Sequence, residues 1–198
     1  MYRVAPVAVP DWEIVIARHG ATDWSRAGRF SGHRDIPLSA AGRAQAAELG
    51  RALRHPQPEI ILSSDLGRAR QTAEAIATAA EIDRRQIMTS TALREEFLGS
   101  WEGLTRAQVA AASPDGFARW ASGDIGSFDG REGLVAVARR AVPVLVAHTT
   151  GLPRSSGRLV IVTHANTILA LAGSFAGMRH ERWADLPCPA PGQAMVLG

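Results

Sequence analysis

The chain has 198 residues, 46% hydrophobic and 21% charged, with a formal net charge of +3 and one cysteine. That length and balance suffice to bury a core and point to a single domain over 1–198. A lone Cys188 excludes an intrachain disulfide framework and a cysteine-based metal site.

All 22 basic side chains are arginine, and they are scattered rather than gathered into a basic run interleaved with aromatics. This argues against a nucleic-acid face and leaves only a weak bias toward anionic ligands. No run of roughly 18 apolar residues suggests a membrane span, and the N-terminus lacks a signal-peptide pattern, so a cytoplasmic location is the expectation.

In chain order, IVIA at 14–17 reads as a buried strand. AGRAQAAELGRALR (41–54) reads as a helix with Ser39 as its N-cap. After the breaker HPQP, EIILSS gives a second strand running into the helix DLGRARQTAEAIATAA. Residues 99–130 are punctuated by glycine, carry only short helical pieces (LTRAQVAAA, FARWA), and resemble a cap or lid. A long helix is expected from about Glu132 to His148, bent at Pro143. The turn-rich GLPRSSGR leads to the strand LVIVTHA, the helix NTILALAGSFAG and a short final strand, AMVLG. The alternation predicts an α/β three-layer sandwich: a mostly parallel central sheet, helices on both faces and a small cap insertion.

Two strands end alike, IVIA in Arg18-His19-Gly20 and LVIV in Thr163-His164-Ala165. Sites in open α/β sheets form beyond the carboxyl ends of the strands, so both imidazoles can face one crevice. The second strand ends at Ser63 and Ser64, with Arg68 in the first turn of the helix that follows. Imidazole and guanidinium together, without a second soft ligand, suggest anion chemistry, because the arginine fork matches phosphate oxygens. Of the other histidines, His33 and His180 lie in polar loops, His55 in the breaker and His148 near a helix C-terminus; all four read as structural or exposed.

These residues also carry a resemblance. Arg18-His19-Gly20 with Thr22 and Trp24 resembles the RHGxTxW signature of the histidine phosphatase superfamily, which includes cofactor-dependent phosphoglycerate mutases and small phosphomonoesterases. GRFSGHRDIPLSAAGRAQA (28–46), SSDLGRARQTAEAI (63–76), LREEFLGSWEG (93–103) and LVIVTHAN (159–166) resemble its further blocks, in family order. The resemblance implies a metal-independent phosphomonoesterase with no cofactor. Neutral His19 is the nucleophile and Glu95 the acid, then the base. A cationic His164 stabilises the transferring group, while Arg18 and Arg68 hold its oxygens. Thr22 and Asn166 either hydrogen-bond phosphate or cap a local turn. By family spacing Glu96 and Glu102 keep structural readings.

Some positions depart from the family pattern. Ser25 stands where asparagine is common, Ser31 where glutamine is, Ala165 for a glycine and Leu169 for a frequent arginine, which implies a less cationic substrate rim. Mutases tend to follow the catalytic glutamate with arginine; here Glu96, Phe97 and Leu98 follow, which favours hydrolysis over mutase-type transfer. The expected partner is a small phosphate ester, partly apolar, beside Phe97 and Trp101, with Trp120 read as cap packing. A catalytically silent phospho-ligand-binding protein is the alternative from another class. Neither nucleic acid nor membrane is expected as a partner. The proline-rich end leaves open whether the last strand is an edge or is covered by a second copy in a homodimer.

Overall fold

A computed structural model describes residues 12–150 and 157–197; most of the stretch read as the turn GLPRSSGR lies outside them. Among the described residues, strands β1 (Trp12–Arg18), β2 (Ile60–Ser64), β3 (Met88–Ser90), β4 (Gly157–Thr163) and β5 (Ala194–Leu197) form one sheet in the order β3-β2-β4-β1-β5. All neighbours are parallel except β5, which runs antiparallel along β1 at the edge. The helices are α1 (Asp23–Arg26), α2 (Ala40–Leu53), α3 (Gly67–Ala79), α4 (Arg106–Ala112), α5 (Pro114–Ala121), α6 (Leu134–Thr150) and α7 (Ala165–Phe175).

Strand pleating sorts the apolar residues into two cores. Val15, Ala17, Ile61, Val160 and Val162 meet Leu49 of α2 and Ala69, Ala73 and Ile76 of α3. Ile14, Ile16, Leu62, Leu159 and Ile161 meet Val137, Ala141 and Leu145 of α6 and Ile168 and Leu171 of α7. The expected three layers are therefore present, and each fully buried aliphatic side chain contributes about 1.5–3 kcal/mol by leaving water. Helix α6 begins at Leu134, two residues later than expected, and continues through Pro143 to Thr150. Strand β3 was not predicted: its residues, MTS, are polar or exposed and offer no alternating pattern.

The stretch 99–130 carries α4, α5 and a 3-10 turn at Gly99–Trp101. It has a small core of its own, Leu98, Trp101, Val109 and Phe128, with Phe30, Phe117 and Trp120 packed around it. The Arg131 guanidinium lies 4.9 Å from the Trp101 ring centre and 4.7 Å from that of Phe128, within cation–π reach.

One close approach fixes the turn after β1. A Cβ on Gly20 would overlap the Gly42 carbonyl, and one on Gly42 would overlap the carbonyl of Ala21. Only glycine at both positions lets this turn lie on the first turn of α2, whose N-cap is Ser39, accepting from Gly42 N.

Candidate active site

Strands β1 and β4 are adjacent and parallel, with Arg18 opposite Thr163. The next residue of each is therefore delivered to the same edge, where the His19 and His164 ring centroids are 5.0 Å apart. His19 N donates to Thr163 O at 3.0 Å, which locks this register. The Nδ1 of His19 lies 2.7 Å from Gly20 O. A carbonyl only accepts, so Nδ1 carries the proton and Nε2 keeps its lone pair.

Burial, then the charge of Arg68, lowers the His19 pKa to about 3; the Gly20 carbonyl opposes the shift and Arg18 adds to it. His164 is fully buried, and neither ring nitrogen has a partner among the described residues. Burial, then Arg68 and His19, holds its pKa well below the ordinary value. Burial beside the Arg68 guanidinium favours the neutral imidazole, so the cation expected at His164 requires the negative charge of a bound phosphoryl group.

Arg68 is 1% exposed. It donates to Arg34 O at 2.7 Å and Gly32 O at 2.8 Å, and its buried Nε is unpartnered among the described residues. Thr72 ties its backbone to the turn after His19, donating to Arg68 O and accepting from Gly20 N. Glu102 secures the loop behind Arg68 by accepting from His33 N at 2.8 Å and Leu98 N at 3.3 Å. Arg18 donates from Nη1 to Pro189 O at 3.1 Å, and its buried Nε is likewise without a partner among the described residues.

Glu95 Oε1 accepts from Glu96 N at 3.0 Å and Asn166 N at 3.1 Å, which joins its loop to the start of α7. Neighbouring Glu96 is wholly buried against Arg131 at 2.7 Å and accepts from Asn166 Nδ2 at 2.6 Å. Burial pushes its pKa up to about 6, against the pull of Arg131. The Asn166 carboxamide is therefore engaged by Glu96. Thr22 accepts from Ser25 N in the capping box of α1, the local-turn alternative for that residue.

Of the aromatic and histidine readings, that of Trp101 beside a substrate changes. Trp101 is 2% exposed and belongs to the core of the cap stretch, where it cannot border a substrate. Trp120 packs against the cap core as expected, and in addition lines a cavity of about 550 Å³ together with Phe117, Arg106, Leu169, Asn166 and Glu96. His33, read as structural or exposed, has a structural contact: its Nε2 lies 2.9 Å from the carbonyl of Glu95. Its place directly after Gly32, in the block that backs Arg68, was the one sequence signal for it. Arg140 of α6, indistinguishable among the arginines in the sequence, also reaches this loop. Among the described residues no group of three or more His, Cys, Asp or Glu side chains is arranged to hold a metal ion.

The chain matches a model of the histidine phosphatase superfamily (branch 1) over residues 14–197. It is 35% identical to a glucosyl-3-phosphoglycerate phosphatase of Mycolicibacterium vanbaalenii over 87% of this chain and 78% of that protein. It is 33% identical to phosphoglycerate mutase-like protein 4 of Arabidopsis thaliana over 80% of this chain and 69% of that one. A solved mycobacterial glucosyl-3-phosphoglycerate phosphatase, complexed with VO3, superposes with a TM-score of 0.86 at 31% identity, covering 93% of this chain and 90% of the other.

The chain belongs to the histidine phosphatase superfamily. In this histidine phosphatase the five sequence blocks lie in different elements but meet at one edge of the sheet. The ends of β1 and β4 bring the histidines, the first turn of α3 brings Arg68, and the loop after β3 brings Glu95.

Proposed function

We propose that this phosphoric monoester hydrolase works without a metal, through a phosphohistidine on His19, on a phosphate ester with a sugar-sized leaving group. The observation that carries the mechanism is the pair of strand-end histidines 5.0 Å apart beside a buried arginine. His19 Nε2 attacks phosphorus as the ester P–O bond breaks, and the leaving oxygen takes the proton of Glu95. Water then attacks the phosphoryl group, gives its proton to Glu95, and the N–P bond breaks to release phosphate. Nδ1–H on Gly20 O steadies the imidazolium character of the phosphorylated ring. The orphaned nitrogens of Arg18, Arg68 and His164 await the phosphoryl oxygens, whose negative charge favours protonation of His164 when the ester binds. These cations supply the charge stabilisation that a metal supplies elsewhere.

The leaving group is assigned to the cavity that opens beside Asn166 and Glu96. At about 550 Å³ it exceeds what a three-carbon acid fills, and Trp120 and Phe117 offer ring faces. This supports a substrate of the kind named for the mycobacterial relatives, a glucosylated phosphoglycerate. A cytoplasmic location and a small-molecule partner go with this reading. Relatives named as phosphoglycerate mutases keep mutase-type transfer as the alternative, but the carboxylate of Glu96 stands where such transfer favours a cation.

The experiment is hydrolysis of p-nitrophenyl phosphate and of glucosyl-3-phosphoglycerate in EDTA. Turnover of both, with release of inorganic phosphate, and its loss in His19→Ala are expected. Activity abolished by EDTA, or retained in His19→Ala, overturns the mechanism. Phosphoglycerate interconversion faster than hydrolysis would establish the mutase.

A further inference from the structure

Residues 94–98 follow a 3-10 turn (Thr91–Leu93) and have no regular secondary structure of their own. A segment without regular secondary structure has no ladder or helix of its own to satisfy its carbonyls, so their partners come from elsewhere. The carbonyls of residues 92 to 95 and of Phe97 are taken by groups from other elements. Leu93 O accepts from Thr163 Oγ1 at 2.7 Å, and Phe97 O from Glu132 N at 2.9 Å. Ala92 O accepts from Arg140 Nη1 at 2.7 Å, and Arg94 O from the same nitrogen at 2.8 Å and from Thr167 Oγ1 at 2.7 Å. Glu95 O accepts from Arg140 Nη2 at 2.8 Å and from His33 Nε2 at 2.9 Å.

Arg140 sits on α6 and is fixed in turn by Glu132, through Nε at 2.7 Å and Nη2 at 2.8 Å. Glu132 Oε2 also accepts from Phe97 N at 3.2 Å. All five N–H groups of one guanidinium are thereby used: three on carbonyls of the Glu95 loop and two on the carboxylate that braces it. Lysine has three donors on a flexible stem and cannot reproduce this planar fork.

We propose that Arg140 is a positioning residue for proton transfer by Glu95, with His33 as the second brace on the same carbonyl. The inference rests on the reading of Glu95 as the acid and base. Arg140 contacts main chain and Glu132, and acts by fixing the peptide unit from which the Glu95 side chain departs. Misplacement of a reacting group by about 1 Å can cost a hundredfold in rate.

The test uses kcat/KM, which reports steps up to formation of the phosphohistidine, for two esters in the full-length enzyme. An alkyl phosphate needs a proton on its leaving oxygen; p-nitrophenyl phosphate does not. Arg140→Lys is expected to lower kcat/KM for the alkyl ester roughly 10- to 100-fold and to leave that for p-nitrophenyl phosphate within about threefold. His33→Gln, on the partly exposed side of the loop, is expected to show the same selectivity with a smaller loss, and serves if Arg140→Lys does not fold. With p-nitrophenyl phosphate both variants are expected to accumulate phosphoenzyme, because Glu95 is also the base of the second step.

Glu95→Gln is the control. If it discriminates between the esters while Arg140→Lys and His33→Gln depress both equally, or neither, the positioning proposal is overturned. If Glu95→Gln itself does not discriminate, the assignment of Glu95 is what fails.

Discussion

The end of the site to which we assign the phosphate and the Glu95 loop lie side by side and are built on opposite principles. At the phosphate end, buried nitrogens of Arg18, Arg68 and His164 have no partner among the described residues. In the Glu95 loop, the carbonyls of residues 92 to 95 are each claimed by a side chain from another element. Unsatisfied buried donors weaken the empty fold and favour an anion; satisfied carbonyls spend donors to hold one geometry. The difference separates binding charge from delivering a proton: the first needs hunger for a ligand, the second needs a fixed direction.

The most severe way to break the phosphate end is His19→Ala. It is expected to lower kcat for p-nitrophenyl phosphate by at least about a thousandfold and to abolish labelling by a phosphorylated substrate. Arg68→Met comes next, with a fall of roughly 100- to 1,000-fold in kcat/KM and weaker inhibition by vanadate; unchanged vanadate inhibition would remove Arg68 from the anion site.

A third test reads the cost of that end through pH. The folded pKa of His19, about 3, lies below its ordinary 6.5. Between those values the unfolded chain binds more protons, so this stabilising contribution is complete above pH 6.5 and is lost as pH falls. From His19 alone the loss is roughly 2 kcal/mol between pH 6.5 and 4.5, and His164 adds to it in the same direction. Glu96 opposes it: its folded value of about 6 is raised, so its contribution is greatest at low pH and declines as pH rises through 6. Denaturant melts are expected to show falling stability over this window, flattened in His19→Asn and by saturating inorganic phosphate. A slope that His19→Asn leaves untouched would mean other groups govern acid unfolding.

Trp120→Ala should have the smallest effect, about a 5- to 10-fold rise in KM for a glucosylated ester with p-nitrophenyl phosphate little changed. Equal effects on the two would place the leaving group elsewhere.

Much of this architecture was legible in the chain. IVIA and LVIV alternate between the two cores as buried parallel strands do, and the histidines that end them lie 5.0 Å apart, as their shared position implied. The family blocks singled out Arg68 and separated Glu95 from Glu96. Less visible were features fixed by tertiary partners. Strand β3 has no apolar period to announce it, and the charge state of His164 depends on burial beside Arg68. Trp101 and Trp120 are alike in sequence, and only the packing of α5 buries one and leaves the other facing a cavity. Arg140 lies 45 residues from the carbonyl it holds, a separation with no local signature.

The antiparallel edge strand β5 has a consequence for timing. Arg18 N donates to Gln193 O, Gly192 N approaches the carbonyls of Arg18 and His19, and the Arg18 guanidinium rests on Pro189. The turn that carries His19 is thus closed by a segment about 170 positions further along the chain. Such a closure is made late, after the local helices, because its entropy is recovered only when most of the sheet is in place. It is also among the first to be undone, since an edge strand can peel away while the central strands stay paired. Catalytic competence is therefore expected to be lost in denaturant ahead of the helical signal, which activity and far-ultraviolet circular dichroism on the same samples would check.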